Sequence, residues 1–190
     1  MRFEKGHKES TRKRIIDVAS RRFRRDGIAA SGLAGIMTES GLTNGAFYPH
    51  FDSKETLVKE ALANALNGQH SALTSGETGP RDIEEAIRRY LNKDHLLGPD
   101  EGCPSAALLP EIGRQSEPTK RMYADAYLSY AEGLANLLPD AGTIKSRRQA
   151  ATIFNLMVGT LQIARAMPDL KLAEEILEDG VQAALKLSSQ

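Results

Sequence analysis

The chain has 190 residues, 41% hydrophobic and 26% charged, with one cysteine and no tryptophan. That composition can bury a core in one or two small domains. The lone cysteine excludes an intrachain disulfide framework, no apolar run nears the ~20 residues of a membrane span, and the charged N-terminus does not read as a secretory signal, so a cytoplasmic location is expected. The zero net charge conceals a polarity: residues 1–54 hold 11 Lys and Arg against 6 Asp and Glu, leaving 14 against 19 for the remainder, a basic front and an acidic back that suit a module docked on nucleic acid.

In chain order, Met1 to Glu9 reads as a polar arm with Arg2, Lys5 and Lys8, too poor in apolar residues to order itself. Ser10 or Thr11 caps a first helix to about Asp26, in which Ile15, Ile16, Ala19 and Phe23 recur at helical spacing and Gly27 ends the run. Of its basic residues, Arg12 and Lys13 near the start are the candidates for phosphate contact. Ser31 can cap a short second helix carrying Leu33, Ile36 and Met37, which Gly41 closes in a left-handed turn. Thr43 then caps a third helix of about two turns, pinned by Leu42 and Phe47 and stopped early by Pro49, whose missing N–H breaks the ladder near Phe51 and Asp52. The free face of that helix carries Thr43, Asn44, Gly45, Ala46, Tyr48 and His50. These are small or hydrogen-bonding groups with no carboxylate to repel phosphate, so the helix could enter a major groove.

Ser53 and Glu55 open a fourth helix to about Thr74 with Leu57, Val58, Ala61, Leu62, Ala65 and Leu66 on its buried side, and Lys54 at its positive end can hold a phosphate. Ser75 to Pro80 is the clearest linker. A fifth helix from Ile83 to Leu91 leads to a loop at Leu97 to Gly102. Cys103 follows, then a sixth helix opened by Pro104 and kinked or broken by Pro110. Glu117 and Pro118 start a seventh helix that ends at Pro139 and repeats Tyr123, Tyr127 and Tyr130. The eighth and ninth, Thr143 to about Ala166 and Leu170 to about Leu187, each expose a broad apolar stripe.

The segment Leu42-Thr43-x-Gly45-x-Phe47-Tyr48-x-His50-Phe51-x-Ser53-Lys54-Glu55-x-Leu57 resembles, in order and spacing, the signature of the tetracycline-repressor-like (TetR/AcrR) family of bacterial transcriptional regulators. The likeness covers roughly residues 10–60. Asn44, Pro49 and Ser40 depart from the residues usual at those positions, which bears on the operator sequence. The resemblance implies an all-α protein of about nine helices: a three-helix helix-turn-helix DNA-binding domain over residues 1–52, then a helical-bundle domain over 53–190 that binds a ligand and dimerises. It implies that the fourth helix links the two domains and that the last two helices form a four-helix bundle with a second copy. Thr43, Asn44 and Ala46 are expected at base edges, with Tyr48, His50 and Lys54 on phosphates.

No catalytic motif stands out. There is no His-Glu-x-x-His, P-loop, Gly-x-Gly-x-x-Gly, Gly-x-Ser-x-Gly or paired Cys-x-x-Cys, and the isolated Glu4-x-x-His7 makes no metal site, so neither enzymatic activity nor a cofactor or metal is expected. The expected partners are duplex operator DNA and a small-molecule effector. Candidates for an effector pocket, by position alone, are Leu66, His70, Tyr90, Cys103, Leu108, Tyr123, Tyr127 and Phe154, each also readable as core packing. His95 reads as a partly exposed helix residue. Cys103 is open between two roles: a redox or electrophile sensor at a helix N-terminus, or an inert packed thiol. The reading as a whole is a homodimeric repressor released from a pseudo-palindromic operator by a small molecule; a DNA-binding scaffold under a protein partner is the alternative.

Overall fold

The computed structural model describes residues 2–190; Met1 and the side chains of residues 2–5, where the start of the polar arm with Arg2, Glu4 and Lys5 falls, lie outside the described residues. The described residues form nine α-helices, one 3-10 turn and no strand: α1 (Arg2–Asp26), α2 (Leu33–Glu39), the 3-10 turn (Asn44–Ala46), α3 (Lys54–Thr74), α4 (Ile83–Tyr90), α5 (Lys93–Leu97), α6 (Pro104–Ile112), α7 (Glu117–Ala135), α8 (Ile144–Arg165) and α9 (Leu170–Ser188). The all-α expectation holds, and none of these helices is long and apolar enough to cross a membrane.

Four boundaries differ from the sequence reading, one being the helix expected to end at Pro139, which ends at Ala135 and passes into i to i−3 turns at Leu137 and Leu138. The first helix begins at Arg2 rather than at Ser10 or Thr11, and the Ser10 hydroxyl bonds back to the His7 carbonyl within it. Ser31 does not cap α2, whose N-cap is Gly32; its buried hydroxyl donates instead to the Gly27 carbonyl at 2.7 Å and closes the preceding loop. A short α5 follows α4 directly, capped by Asn92, whose side-chain oxygen accepts from the His95 N–H at 2.8 Å. Other punctuation falls where local chemistry demands it. The Ser53 hydroxyl accepts from the Thr56 N–H at 3.1 Å to open α3. Gly41, at φ +70°, allows paired bonds from Gly41 N–H to Thr38 and from Leu42 N–H to Met37 to close α2. Pro110 sits in the last turn of α6, which ends two residues later.

Two apolar cores organise these helices. The N-terminal core joins Ile15, Phe23, Ile36, Met37, Phe47, Phe51, Leu57 and Leu62, and receives Leu108 and Ile112 from α6. The larger one joins α4 and α5 to α7, α8 and α9 around Ile87, Leu134, Ile153, Phe154, Met157, Leu161 and Val181. Because α3 runs from the first core to Leu73 in the second, and α6 reaches back into the first, two helices connect the front of the molecule to its body.

Candidate nucleic-acid interface and effector cleft

The recognition segment is a 3-10 turn followed by a tight bend, not two turns of α-helix. Ala46 N–H bonds to Thr43, Phe47 N–H to Asn44 and His50 N–H to Phe47, an i to i−3 pattern, and Phe51 N–H closes on Phe47 at 3.1 Å. Pro49 explains this, since it has no N–H for the Gly45 carbonyl and an α-ladder cannot pass through it. The Thr43 hydroxyl makes no cap. The turn is held from beneath by Phe47 and Phe51, both buried and stacked with centroids 5.4 Å apart. Above them Thr43, Asn44 and Gly45 are exposed, Ala46 is half-buried, and Tyr48 stands 71% exposed, edge-on to Phe47.

The basic residues divide. Lys13 is exposed. Arg12 is half-buried and engaged within the protein: its guanidinium pairs with Glu60 at 2.6 Å and lies over the Phe51 ring at 4.7 Å, tying α1 to α3. Lys54 donates to the Ile28 carbonyl at 3.0 Å and so braces the loop between α1 and α2 rather than standing free for a phosphate. His50 is half-buried, with Nδ1 shut from solvent and unpartnered, and burial followed by the charges of Lys8 and Arg12 lowers its pKa and favours the neutral ring. A cationic His50 on a phosphate is therefore the least supported of the expected contacts.

Behind this surface a cleft of about 760 Å³ opens between α1 and α3 on one side and α4, α5 and the 98–103 loop on the other, with Tyr130 of α7 in its wall. Of the eight positions expected to line an effector pocket, only Tyr90 and Cys103 do so. Leu108 is committed to the N-terminal core. Tyr123 packs against that core and shares a 3.0 Å hydrogen bond with Ser105, while Tyr127 donates to Asn155 at 3.0 Å. Phe154 is enclosed by Tyr90, Tyr127 and Tyr130. Leu66 is buried and His70 half-buried, and both lie outside the cleft. The residues missed were Ser20, Arg21 and Arg24 on α1, Gln69 and Leu73 on α3, His95, and Tyr130. Ser20 was given no role and the two arginines were not among the phosphate candidates of the first helix; the signal available was that Ser20 abuts the apolar Val18 and Ala19, inside the run that packs.

His95 is the pin of the cleft's far wall. Its Nδ1 is 2.7 Å from the Tyr90 carbonyl and must donate to it, which leaves Nε2 to accept from the Cys103 N–H at 2.8 Å. Accepting at Nε2 needs the neutral ring, whereas the Nδ1 bond to the Tyr90 carbonyl would survive protonation. Burial drives the His95 pKa down to about 4, partly opposed by the Tyr90 carbonyl and aided by Arg165, which itself donates to the His95 and Leu96 carbonyls. Cys103 is thereby fixed as the N-cap of α6 with 3% of its surface exposed.

The wall is also tied to the front of the molecule. Arg24 donates to the Asp100 carbonyl at 2.6 Å and Arg21 approaches Glu101 at 3.9 Å. At the other end of α6 the Glu111 carboxylate accepts from the Ile28 N–H at 3.1 Å and the Ala29 N–H at 3.0 Å, immediately after Gly27, whose φ of +86° ends α1. A side chain at Gly27 would crowd that carboxylate at 3.3 Å.

Comparison with known proteins agrees with this geometry. Residues 15–61 match the family of bacterial regulatory proteins, tetR family. Over 154 residues, 78% of this chain and 82% of the relative, the chain is 29% identical to the HTH-type transcriptional regulator LmrA of Bacillus subtilis. Its fold is similar to a TetR-family transcriptional regulator of Cytophaga hutchinsonii, at a TM-score of 0.76 and 21% identity over 96% of this chain and 95% of the other. It is also similar to the regulator FadR of Bacillus subtilis in complex with stearoyl-CoA, at a TM-score of 0.58 and 18% identity over 89% and 97%. The matched segment, a relative aligned over four-fifths of its length and the shared architecture converge on a helix-turn-helix transcriptional regulator of the TetR/AcrR family.

Proposed function

We propose that the protein is a homodimeric repressor that acts in the cytoplasm and is released from a pseudo-palindromic operator when a small molecule fills the cleft between α1, α3 and α4. The observation that carries the reading is the position of that cleft. Its walls are the two helices that support the recognition turn and the loop that leads into α6, so a ligand cannot change its shape without bearing on the DNA-binding end. A related fold captured with stearoyl-CoA supports an organic ligand in this architecture. Pairing through α8 and α9 is supported by Ile163, Leu170 and Leu172, which stand 55%, 42% and 42% exposed on helices whose other faces are buried.

In this reading Thr43, Asn44 and Ala46 meet base edges, Gly45 permits close approach of the backbone, and Tyr48 and Lys13 meet phosphates. The ligand prefers the state in which the two recognition turns are wrongly spaced for successive grooves, which shifts the population off DNA. Duplex binding followed by fluorescence anisotropy across salt concentrations tests the DNA-binding part. Log affinity is expected to fall by about 0.9 per phosphate contact per log unit of salt. Binding indifferent to salt, or none, would refute it.

A further inference from the structure

Three polar groups around the cleft have no partner at full hydrogen-bond distance: the Ser20 hydroxyl of α1, the Gln69 side-chain NH2 of α3, which is directed toward the Tyr130 hydroxyl, and the Tyr90 hydroxyl of α4, which is directed toward the Cys103 thiol. Each atom is shut from bulk solvent, and Ser20 and Tyr90 are more than nine-tenths buried as residues. Buried polar groups are almost always well paired, so one orphan and two weakly paired donors on three helices around one cavity mark a place where a better partner comes from outside the chain. We propose that the cleft binds an uncharged ligand bearing carbonyl-type acceptor oxygens, and that the ligand bridges α1 directly to α3 and α4 through these three groups. This rests on the regulator reading and names the chemistry of its effector.

The direction of the hydrogen bonds sets the ligand's character. Gln69 Nε2 can only donate. The Tyr90 hydroxyl stays protonated, because burial raises its pKa well above the ordinary 10, so it too is available as a donor. Ser20 can donate or accept. A site rich in donors calls for acceptor oxygens. A carboxylate or phosphate would satisfy them but would need a free cation, and the arginines that line the cleft are already engaged: Arg21 near Glu101, Arg24 on the Asp100 carbonyl, Arg89 on Glu85 and the Thr78 carbonyl. Those three arginines are balanced by Asp17, Asp94 and Glu101 in the same lining. An anion would therefore lose its hydration without a matching charge, whereas a neutral carbonyl loses little.

The test uses the full-length dimer and two dyes: prodan, an uncharged aromatic ketone, and 8-anilinonaphthalene-1-sulfonate, an anion of similar size. Saturable binding of prodan with a blue-shifted emission is expected, tighter than binding of the sulfonate. Ser20→Ala, Gln69→Leu and Tyr90→Phe should each weaken it about three- to ten-fold, the loss of one hydrogen bond. Tyr127→Phe, outside the cleft, should leave it unchanged. Misfolding is separated by thermal unfolding without dye, since removing a weakly paired hydroxyl in Tyr90→Phe should leave the melting temperature equal or higher. Failure of prodan to saturate, preference for the sulfonate, or parental affinity in all three variants overturns the proposal. Operator binding measured on the same preparations tells that failure from a failure of the regulator reading, which predicts intact DNA binding in every variant.

Discussion

Two basic residues of α1, adjacent in sequence, do different work. Arg12 bridges to Glu60 and covers Phe51, so Arg12→Ala should cost about 1 kcal/mol in urea unfolding, the scale of a partly exposed ion pair with a cation–π contact. Lys13→Ala should leave stability unchanged and lower the salt slope of DNA binding by about one phosphate contact's worth, ~0.9. If both variants altered only the salt slope, Arg12 would be a DNA ligand and the bridge incidental. His95 gives a second residue-scale outcome. Its ring must be neutral in the folded protein, with a pKa of about 4, but titrates near 6.5 when unfolded. The unfolded chain therefore takes up a proton first as pH falls, and stability present above about 6.5 is lost progressively down to about 4. The full span corresponds to roughly 3 kcal/mol. His95→Asn should be less stable at pH 7.5 yet lose less between pH 7.5 and 5 than the parent; an equal loss would place the acid sensitivity elsewhere.

At the level of elements, α6 is the piece that joins cleft to DNA-binding end, because its first residue neighbour, Cys103, is bonded to His95 and its Glu111 holds the amides of the α1–α2 loop. Glu111→Leu should lower stability by about 1.5–3 kcal/mol, the range for hydrogen bonds to a charged group, and should weaken operator binding by freeing the loop that Lys54 also braces. Unchanged operator affinity in a folded Glu111→Leu would leave α3 as the sole connection. How much of this the sequence disclosed follows from the range of the forces involved. Ser53, Gly41, Pro104 and the 75–80 linker act on their own neighbours, and each was readable. Pro49 was legible as a stop, but whether the residues before it adopt α or 3-10 geometry depends on how Phe47 and Phe51 seat in the core. Asn92 three residues before His95 had the spacing of a cap and was passed over because the helix it opens has five residues. The cleft was mostly illegible. Ser20, Gln69, Tyr90 and His95 lie on four different segments, and His95 is locked only because the 98–103 loop folds back so tightly that a Cβ on Gly102 would meet its ring at 2.6 Å. The Arg12 bridge was illegible for the same reason, its partner being 48 residues away.

For the whole molecule, if the three exposed or half-exposed residues of one recognition turn meet base edges as proposed, a single copy reads too little sequence to mark a site, and two copies on a dyad are needed. Ile163→Glu, on the exposed side of α8, should shift sedimentation from dimer to monomer and weaken operator binding by roughly 100-fold, since the second half-site would no longer be held at high local concentration. The most direct measurement is selection of bound duplexes from a random DNA pool by the full-length protein, followed by sequencing. The expected result is an inverted repeat with half-site centres spaced for successive major grooves, in which Asn44→Ala relaxes one position of each half symmetrically. An enriched site without dyad symmetry, or no enrichment over the starting pool, would contradict a two-fold repressor reading DNA through this turn.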